Sequence, residues 1–332
     1  MKSFGGLWDR ITSCENLESA LGRAARGKHD RRRVQRFLGD AEKELIVLRE
    51  ELRDGTYRPG PYTQFGIRDP KPRTISCADF RDRVVHHAVC DVIGPLLERR
   101  MLAGSYACRE GKGTHRAVLQ AERYCRRFRY YLKVDVRKFF ESVDHGILLG
   151  LLGRLFRERR LGDLLERIVR HPVPNGAAGK GLPIGNLTSQ WFANLYLDGL
   201  DHRVKEEWHF RGYLRYMDDI VLWGDDKADL WWALAAIASW LQMQRQLELK
   251  DAATRVGPTN AGLAFLGLRV YPNALRLQRQ RYRRLKRLIA RREKELEGGL
   301  ILEDQFVGSL RAASGILSFL GLKGLVTSQI DL

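Results

Sequence analysis

Cysteine is scarce and scattered. The five thiols, Cys14, Cys77, Cys90, Cys108 and Cys125, include no pair at C-x-x-C spacing, which argues against a zinc ribbon, a redox pair or a disulfide framework. They read as reduced, mostly buried side chains. Long apolar runs are also missing, since nothing approaches the ~18–20 residues that span a bilayer. The most apolar stretch, around Leu230 to Leu241 with Trp231, Trp232 and Trp240, reads as a core helix. No charged-then-apolar leader opens the chain, and there is no internal repeat or extended low-complexity linker, so a cytoplasmic protein is expected. Acidic side chains are in the minority, 40 Asp and Glu against 58 Lys and Arg, for a formal charge of +18. The basic excess gathers at 23–36, 123–129 and 276–292, as grooves for phosphate require, so nucleic acid is the expected partner.

A chain of 332 residues can bury a sizeable core shared by two or three subdomains. Val34, Leu38, Ala41, Leu45, Leu48 and Leu52 recur at helical steps and predict an amphipathic helix over 31–53, ended by Asp54-Gly55. Tyr57 to Thr74 holds four of the ten prolines and suits short strands and loops. Helical period returns from Asp79 through Phe80, Val84, Ala88, Val92 and Leu96. It appears again from Thr114, a candidate N-cap, through Ala117, Ala121, Cys125 and Phe128. The first clear strand is YYLKVDV, Tyr130 to Val136. Its alternation places Tyr131, Lys133 and Asp135 on one face and Leu132, Val134 and Val136 on the other.

A helical region (145–170) follows, then a Gly/Pro/Asn-rich loop (171–187) and a helix over 188–204. In YLRYMDDIVLWGDD two apolar runs, Tyr213 to Tyr216 and Ile220 to Trp223, flank Met217-Asp218-Asp219 closely enough to predict a hairpin with the acids at its tip. A helix over 229–246, short strands near 247–249 and 263–270, and a basic helical tail complete the chain. An aspartate at a strand end and an aspartate pair on a neighbouring hairpin could converge, because adjacent strands lie ~4.8 Å apart. Converging carboxylates are the hard oxygen ligands that two divalent ions need to drive phosphoryl transfer. An Asp-Asp pair alone is more often a solvated turn; the flanking sequence decides. His86, His87, His145 and His171 have no metal-ligand spacing and read as packing or capping residues.

The segments KPRTISCADFRDRVVHHAV, GSYACREGKGTHRAV, YYLKVDVRKFFESVDH, GLPIGNLTSQWFANLYLDGLDH, YMDD and FLGLRV occur in that order between Pro59 and Val270. Together they resemble the motif blocks of reverse transcriptases. The IGNLTSQ stretch, Ile184 to Gln190, resembles the IGxxxSQ form of diversity-generating retroelements where most bacterial enzymes have QGxxxSP. The opening LWDRITSCENLESALGRAARGK and the DRVVHHA run also resemble that group. The resemblance implies an α+β right-hand polymerase: an N-terminal helical extension (1–55), fingers (56–128, with 171–190 returning near the fingers/palm junction), a palm whose antiparallel sheet carries the catalytic acids (129–274), and a short helical thumb (275–332). It implies an RNA-directed DNA polymerase that copies a template-repeat RNA with errors at adenines. It uses dNTPs and two Mg2+ ions, for which Mn2+ could substitute, and works with a small basic ring-forming accessory protein, the accessory variability determinant.

Carried over residue by residue, the catalytic acids are Asp135, Asp218 and Asp219, with Val136 beside them in the metal-holding set. The dNTP set is Lys71, Arg73, Arg137, Lys138, Phe139, Phe140, Ile184 and Gln190. Phe140 stands where the family places a steric gate against the ribose 2′-hydroxyl, and Phe139 is the better core candidate of the two rings. Gln190 and Asn194 are candidate template or nucleotide contacts. Phe265, Leu266 and Gly267 match the primer grip. Arg281, Arg283, Arg284, Lys286 and Arg287 would meet the duplex backbone. Lys250 and Arg255 both compete for the general-acid place, and neither is assigned. Three other readings remain: an accurate retron-like or intron-like reverse transcriptase, opposed by Ile184 and Gln190; a non-catalytic RNA-binding scaffold, opposed by the three acids; and a basic structural protein, which explains the charge but not the motifs.

Overall fold

The structure is a computed structural model and describes residues 4–68 and 72–309. Four helices open it: α1 (Leu7–Ile11), α2 (Cys14–Ala25), α3 (Arg32–Gly39) and α4 (Ala41–Asp54). The single helix expected over 31–53 is divided, because Asp40 leaves helical geometry at φ −125° and ψ 36°. Each half buries its own stripe, Val34 and Phe37 on α3 and Leu48 and Leu52 on α4. Gly55 ends α4 in the left-handed region at φ 72°, with its N–H returned to the carbonyls of Glu51 and Leu52. Near the start of the chain the Glu158 carboxylate accepts from the free N–H groups of Leu7 (2.7 Å) and Trp8 (2.9 Å), fastening α1 to the segment that opens the helix Arg159–Arg170.

The hairpin β1 (Thr63–Arg68) and β2 (Pro72–Cys77) is antiparallel and largely exposed. Two helices follow, α5 (Phe80–Arg100) and α6 (Thr114–Arg127). The Asp79 side chain accepts from Arg81 N–H and caps α5, which is buried on most of its circumference and forms the spine of the main core. Thr114 is the first residue of α6 and makes no cap, contrary to expectation. Its hydroxyl instead meets the Tyr216 hydroxyl at 3.1 Å.

Next come β3 (Tyr130–Asp135), α7 (Phe139–Ser142), α8 (His145–Leu155), α9 (Arg159–Arg170), α10 (Leu187–His202), β4 (Gly212–Tyr216), β5 (Asp219–Gly224), α11 (Lys227–Arg245) and β6 (Arg255–Pro258). The four strands form one antiparallel sheet in the order β4-β5-β3-β6. The alternation of β3 sorts its side chains as expected. Leu132, Val134 and Val136 enter the main core with the helices, and Tyr131 enters a second core with Leu214, Val221 and Trp223. Both faces are therefore covered. The second core is closed by α6 and by the sheet β7 (Leu263–Phe265), β8 (Leu268–Tyr271) and β9 (Ala274–Leu277).

The basic tail helix α12 spans Arg279–Glu297. Residues 275–277, expected to open the helical thumb, are a strand instead: Leu275 and Leu277, alternating with Arg276, pair with β8. Trp240 is core, whereas Trp231 and Trp232 are exposed. Among the described residues no helix is long and apolar enough to cross a membrane. The expected thumb beyond residue 309, and Lys71, lie outside the described residues.

Candidate active site

Strand pairing brings the acids together. Asp135, the last residue of β3, lies opposite Asp219, the first residue of β5, and Tyr216 pairs with Asp219 across the hairpin to leave Met217 and Asp218 as its tip. Met217 is in the left-handed region at φ 54°, uncommon outside glycine and a mark of a turn held by its surroundings.

What holds it is a buried ion pair that sequence patterning does not reveal. Arg215 and Asp201 are both 0% exposed. The guanidinium donates to Asp201 through Nε (2.7 Å) and Nη2 (2.6 Å). Its Nη1 also donates to Asn194 Oδ1 (3.0 Å) and to the Met217 carbonyl (3.3 Å). Tyr213 donates its hydroxyl to the same aspartate. A charge-assisted, bidentate pair of this kind is geometrically specific, so the turn carrying Asp218 rests on a fixed support. Asn194, expected to meet template or nucleotide, is buried instead and spans Arg215 and the Ala107 carbonyl (2.8 Å). The signal available in the sequence was one Arg and one Asp inside otherwise apolar runs.

Burial, reinforced by the charge of Asp135 and then of Asp219, pushes the Asp218 carboxyl up to about 6 from an ordinary 3.8. Arg73, on the β1-β2 hairpin, pulls it back down, so a cation of that hairpin acts on the acids. A buried carboxylate whose proton affinity is raised by a neighbouring carboxylate is short of positive charge. The hard oxygens of the two suit Mg2+, and the residues present fit such an ion: Asp135 and Asp218 would hold it. Asp219 is engaged elsewhere, by the Lys133 ammonium at 2.9 Å. No set of three His, Cys, Asp or Glu side chains converges at metal-binding distance among the described residues.

The other expected residues divide. Phe139 is 2% exposed and belongs to the main core, so its side chain has no surface for a nucleotide and its place in the dNTP set is corrected. Phe140 is half-buried beside it, the two rings edge to face at 5.6 Å. Lys138 takes φ 45°, turning the chain between β3 and α7. Arg137 is exposed and engaged by Glu248 (3.4 Å) and Asp251 (3.6 Å). The Ile184 carbonyl accepts from Ser76 N–H (2.9 Å), and Gly185, at φ 126°, passes so close to Ser76 that a Cβ there would meet its carbonyl at 3.0 Å. The IGNLTSQ loop is thus stitched to the fingers strand that carries Arg73, with Gln190 half-buried in the first turn of α10.

In the segment expected to be the primer grip, Phe265 is fully buried, leaving Leu266 (φ 47°) and Gly267 (φ 81°) at the turn. Arg281 donates to the Leu266 carbonyl (3.1 Å) and packs over Gly267, so its guanidinium supports that turn. Arg283, Arg284 and Arg287 line, with Arg279 and Gln280, a basic cavity of 410 Å³ on α12, and Lys286 is exposed on the same helix. Lys250 donates its backbone N–H to the Asp135 carbonyl (2.8 Å), and Arg255 pairs in register with Lys133. His145 and His171 bond the carbonyls of Gly181 (2.7 Å) and Gly60 (2.8 Å), the structural roles expected of them.

The sequence profile of the family described as "Reverse transcriptase (RNA-dependent DNA polymerase)" matches residues 67–270, more than half of the chain and all three of the acids. The chain belongs to the reverse transcriptases. Its fold is accordingly the right-hand polymerase fold, and the enzyme is an RNA-directed DNA polymerase. Protein YkfC of Escherichia coli is 25% identical over 270 residues, covering 68% of this reverse transcriptase and 71% of that protein. The group II intron-encoded protein LtrA of Lactococcus lactis is 25% identical over 197 residues, 57% of this chain and 32% of LtrA. The chain therefore spans about a third of LtrA's length. Among solved structures, telomerase from Candida albicans aligns with a TM-score of 0.49 at 13% identity, over 79% of this chain and 54% of that one.

Proposed function

We propose that this reverse transcriptase makes cDNA from a template-repeat RNA of a diversity-generating retroelement, copying adenines with low fidelity. Asp135 and Asp218 would hold the divalent ions, whose positive charge would favour a deprotonated primer hydroxyl and a pyrophosphate leaving group. Arg73, with Lys71, receives the incoming triphosphate. Phe140 packs beneath the sugar and rejects ribose by clash. Leu266 and Gly267 steady the primer end, and α12 follows the duplex backbone. The accessory protein and the structured RNA are further partners of this reading.

The observation that carries the retroelement assignment is Ile184, in a loop stitched at 2.9 Å to Ser76 of β2, the strand that also carries Arg73. The glutamine usual at this place can hydrogen-bond near the nucleotide, and isoleucine cannot. A site without directed hydrogen bonds discriminates by shape alone. Sequencing cDNA made on the cognate RNA, with and without accessory protein, tests this. Errors should gather at template adenines and fall in Ile184→Gln. Faithful copying by the wild type rejects the retroelement assignment in favour of the second reading, an intron-like enzyme, which the similarity to LtrA favours.

A further inference from the structure

Lys133 is a charged residue in the centre of the palm sheet, paired to Val221 on one side and Arg255 on the other. Its strand places it on the Asp135 face, and its ammonium does two things. It meets Asp219 Oδ1 at 2.9 Å and donates to the Ala264 carbonyl at 3.1 Å. Ala264 belongs to β7, an edge strand of the β7-β8-β9 sheet and one residue before the Phe265-Leu266-Gly267 turn. One side chain thus joins a catalytic-site carboxylate to the hairpin that the foregoing reading gives to the primer end. Both Lys133 and Asp219 are mostly covered, at 19% and 23% side-chain exposure, so the pair is less screened than a surface salt bridge.

We propose that Lys133 is a positioning residue of the polymerase site, a built-in counter-ion that balances Asp219 and locks the spacing between the catalytic acids and the primer hairpin. Three carboxylates around the hairpin tip would otherwise present their full negative charge to divalent ions. The ammonium neutralises one of them, leaving Asp135 and Asp218 as the metal-holding pair and tempering the affinity of that pair for metal. An ammonium suits this task because its compact charge can face a carboxylate while it donates a hydrogen bond to a carbonyl. Removing it frees Asp219 toward the metals and leaves the Ala264 carbonyl without its donor. Metal binding should then tighten while primer placement loosens, opposite effects that simple loss of packing would not give.

The inference rests on the assignment of Asp135 and Asp218 to metal and of 265–267 to the primer. The test measures binding of Mn2+ alone by electron paramagnetic resonance, together with steady-state primer extension on an RNA template. Wild type, Lys133→Met, Lys133→Arg and Asp218→Asn are compared, with Lys133→Gln measured in the same way in case the methionine variant does not fold. Lys133→Met should bind Mn2+ several-fold more tightly than wild type. Its KM for primer-template should rise several-fold with a smaller change in kcat, and Lys133→Arg should restore much of that KM. Wild-type Mn2+ affinity or wild-type primer KM in Lys133→Met overturns the proposal. Wild-type Mn2+ affinity in Asp218→Asn instead overturns the metal assignment on which it stands.

Discussion

Replacing Arg215 with methionine removes the support under the hairpin tip while keeping much of the side chain's volume. Asp201 would keep its charge at 0% exposure with the Tyr213 hydroxyl as its remaining donor among the bonds described. Breaking a buried pair by deleting one partner costs about 3–5 kcal/mol, about a fifth or more of the roughly 5–15 kcal/mol that holds an ordinary domain together. Removing both charges is often neutral, so Arg215→Met/Asp201→Leu should recover most of that loss. The double variant still lacks the bond to the Met217 carbonyl (3.3 Å), so its stability should return while its primer extension does not. Urea denaturation with linear extrapolation gives the first quantity and single-nucleotide extension the second. A single variant that loses less than about 1 kcal/mol, the worth of an ordinary neutral hydrogen bond, would refute the buried-support argument. So would a double variant that extends primers at the wild-type rate.

Asp218 gives a pH-dependent consequence. Its folded carboxyl titrates at about 6 against an ordinary 3.8, so the metal-free folded state binds this proton more tightly than the unfolded chain. Its contribution to stability is therefore fully present below pH 3.8, falls as pH rises to about 6, and is flat above that. Asp218→Asn should raise the thermal midpoint in chelator at pH 7 and change it little at pH 4; no gain at pH 7 would contradict the assignment. On α12, changing Arg283, Arg284 and Arg287 to glutamine should reduce the slope of log affinity for an RNA/DNA hybrid against log salt by about 2–3, since each phosphate left without its cation lowers that slope by about 0.9. An unchanged slope would place the duplex elsewhere.

The elements that frame the site were legible because their patterns are unambiguous. Alternation in YYLKVDV assigned the two faces of β3, and the short interval between two apolar runs placed Asp218 at a hairpin tip, although Asp219, expected there too, is the first residue of β5. Period alone could not locate the break at Asp40, since the apolar steps of α3 and α4 run on in phase through it. Nor could it distinguish β9 from the start of α12, because Arg276-Leu277 fits a strand and a helix equally well. The pairings between distant residues were hidden altogether. Arg215 finds Asp201 across 14 positions, and Lys133 finds Ala264 across 131. A side chain's partner depends on strand order and register, not on local composition. Of the adjacent rings Phe139 and Phe140, the one expected to be the better core candidate, Phe139, is the one taken by the core, and Phe140 is left half-buried beside it.

The measurement to make first is Mg2+-dependent extension of a DNA primer on an RNA template by wild type, Asp135→Asn and Asp218→Asn, each shown to be folded. A site built on these two aspartates requires robust extension by wild type and its loss in both variants, with hybrid binding retained through α12. Extension at the wild-type rate by either variant would mean that the ions are held elsewhere and that the pairing of β3 with the β4-β5 hairpin does not build the catalytic centre.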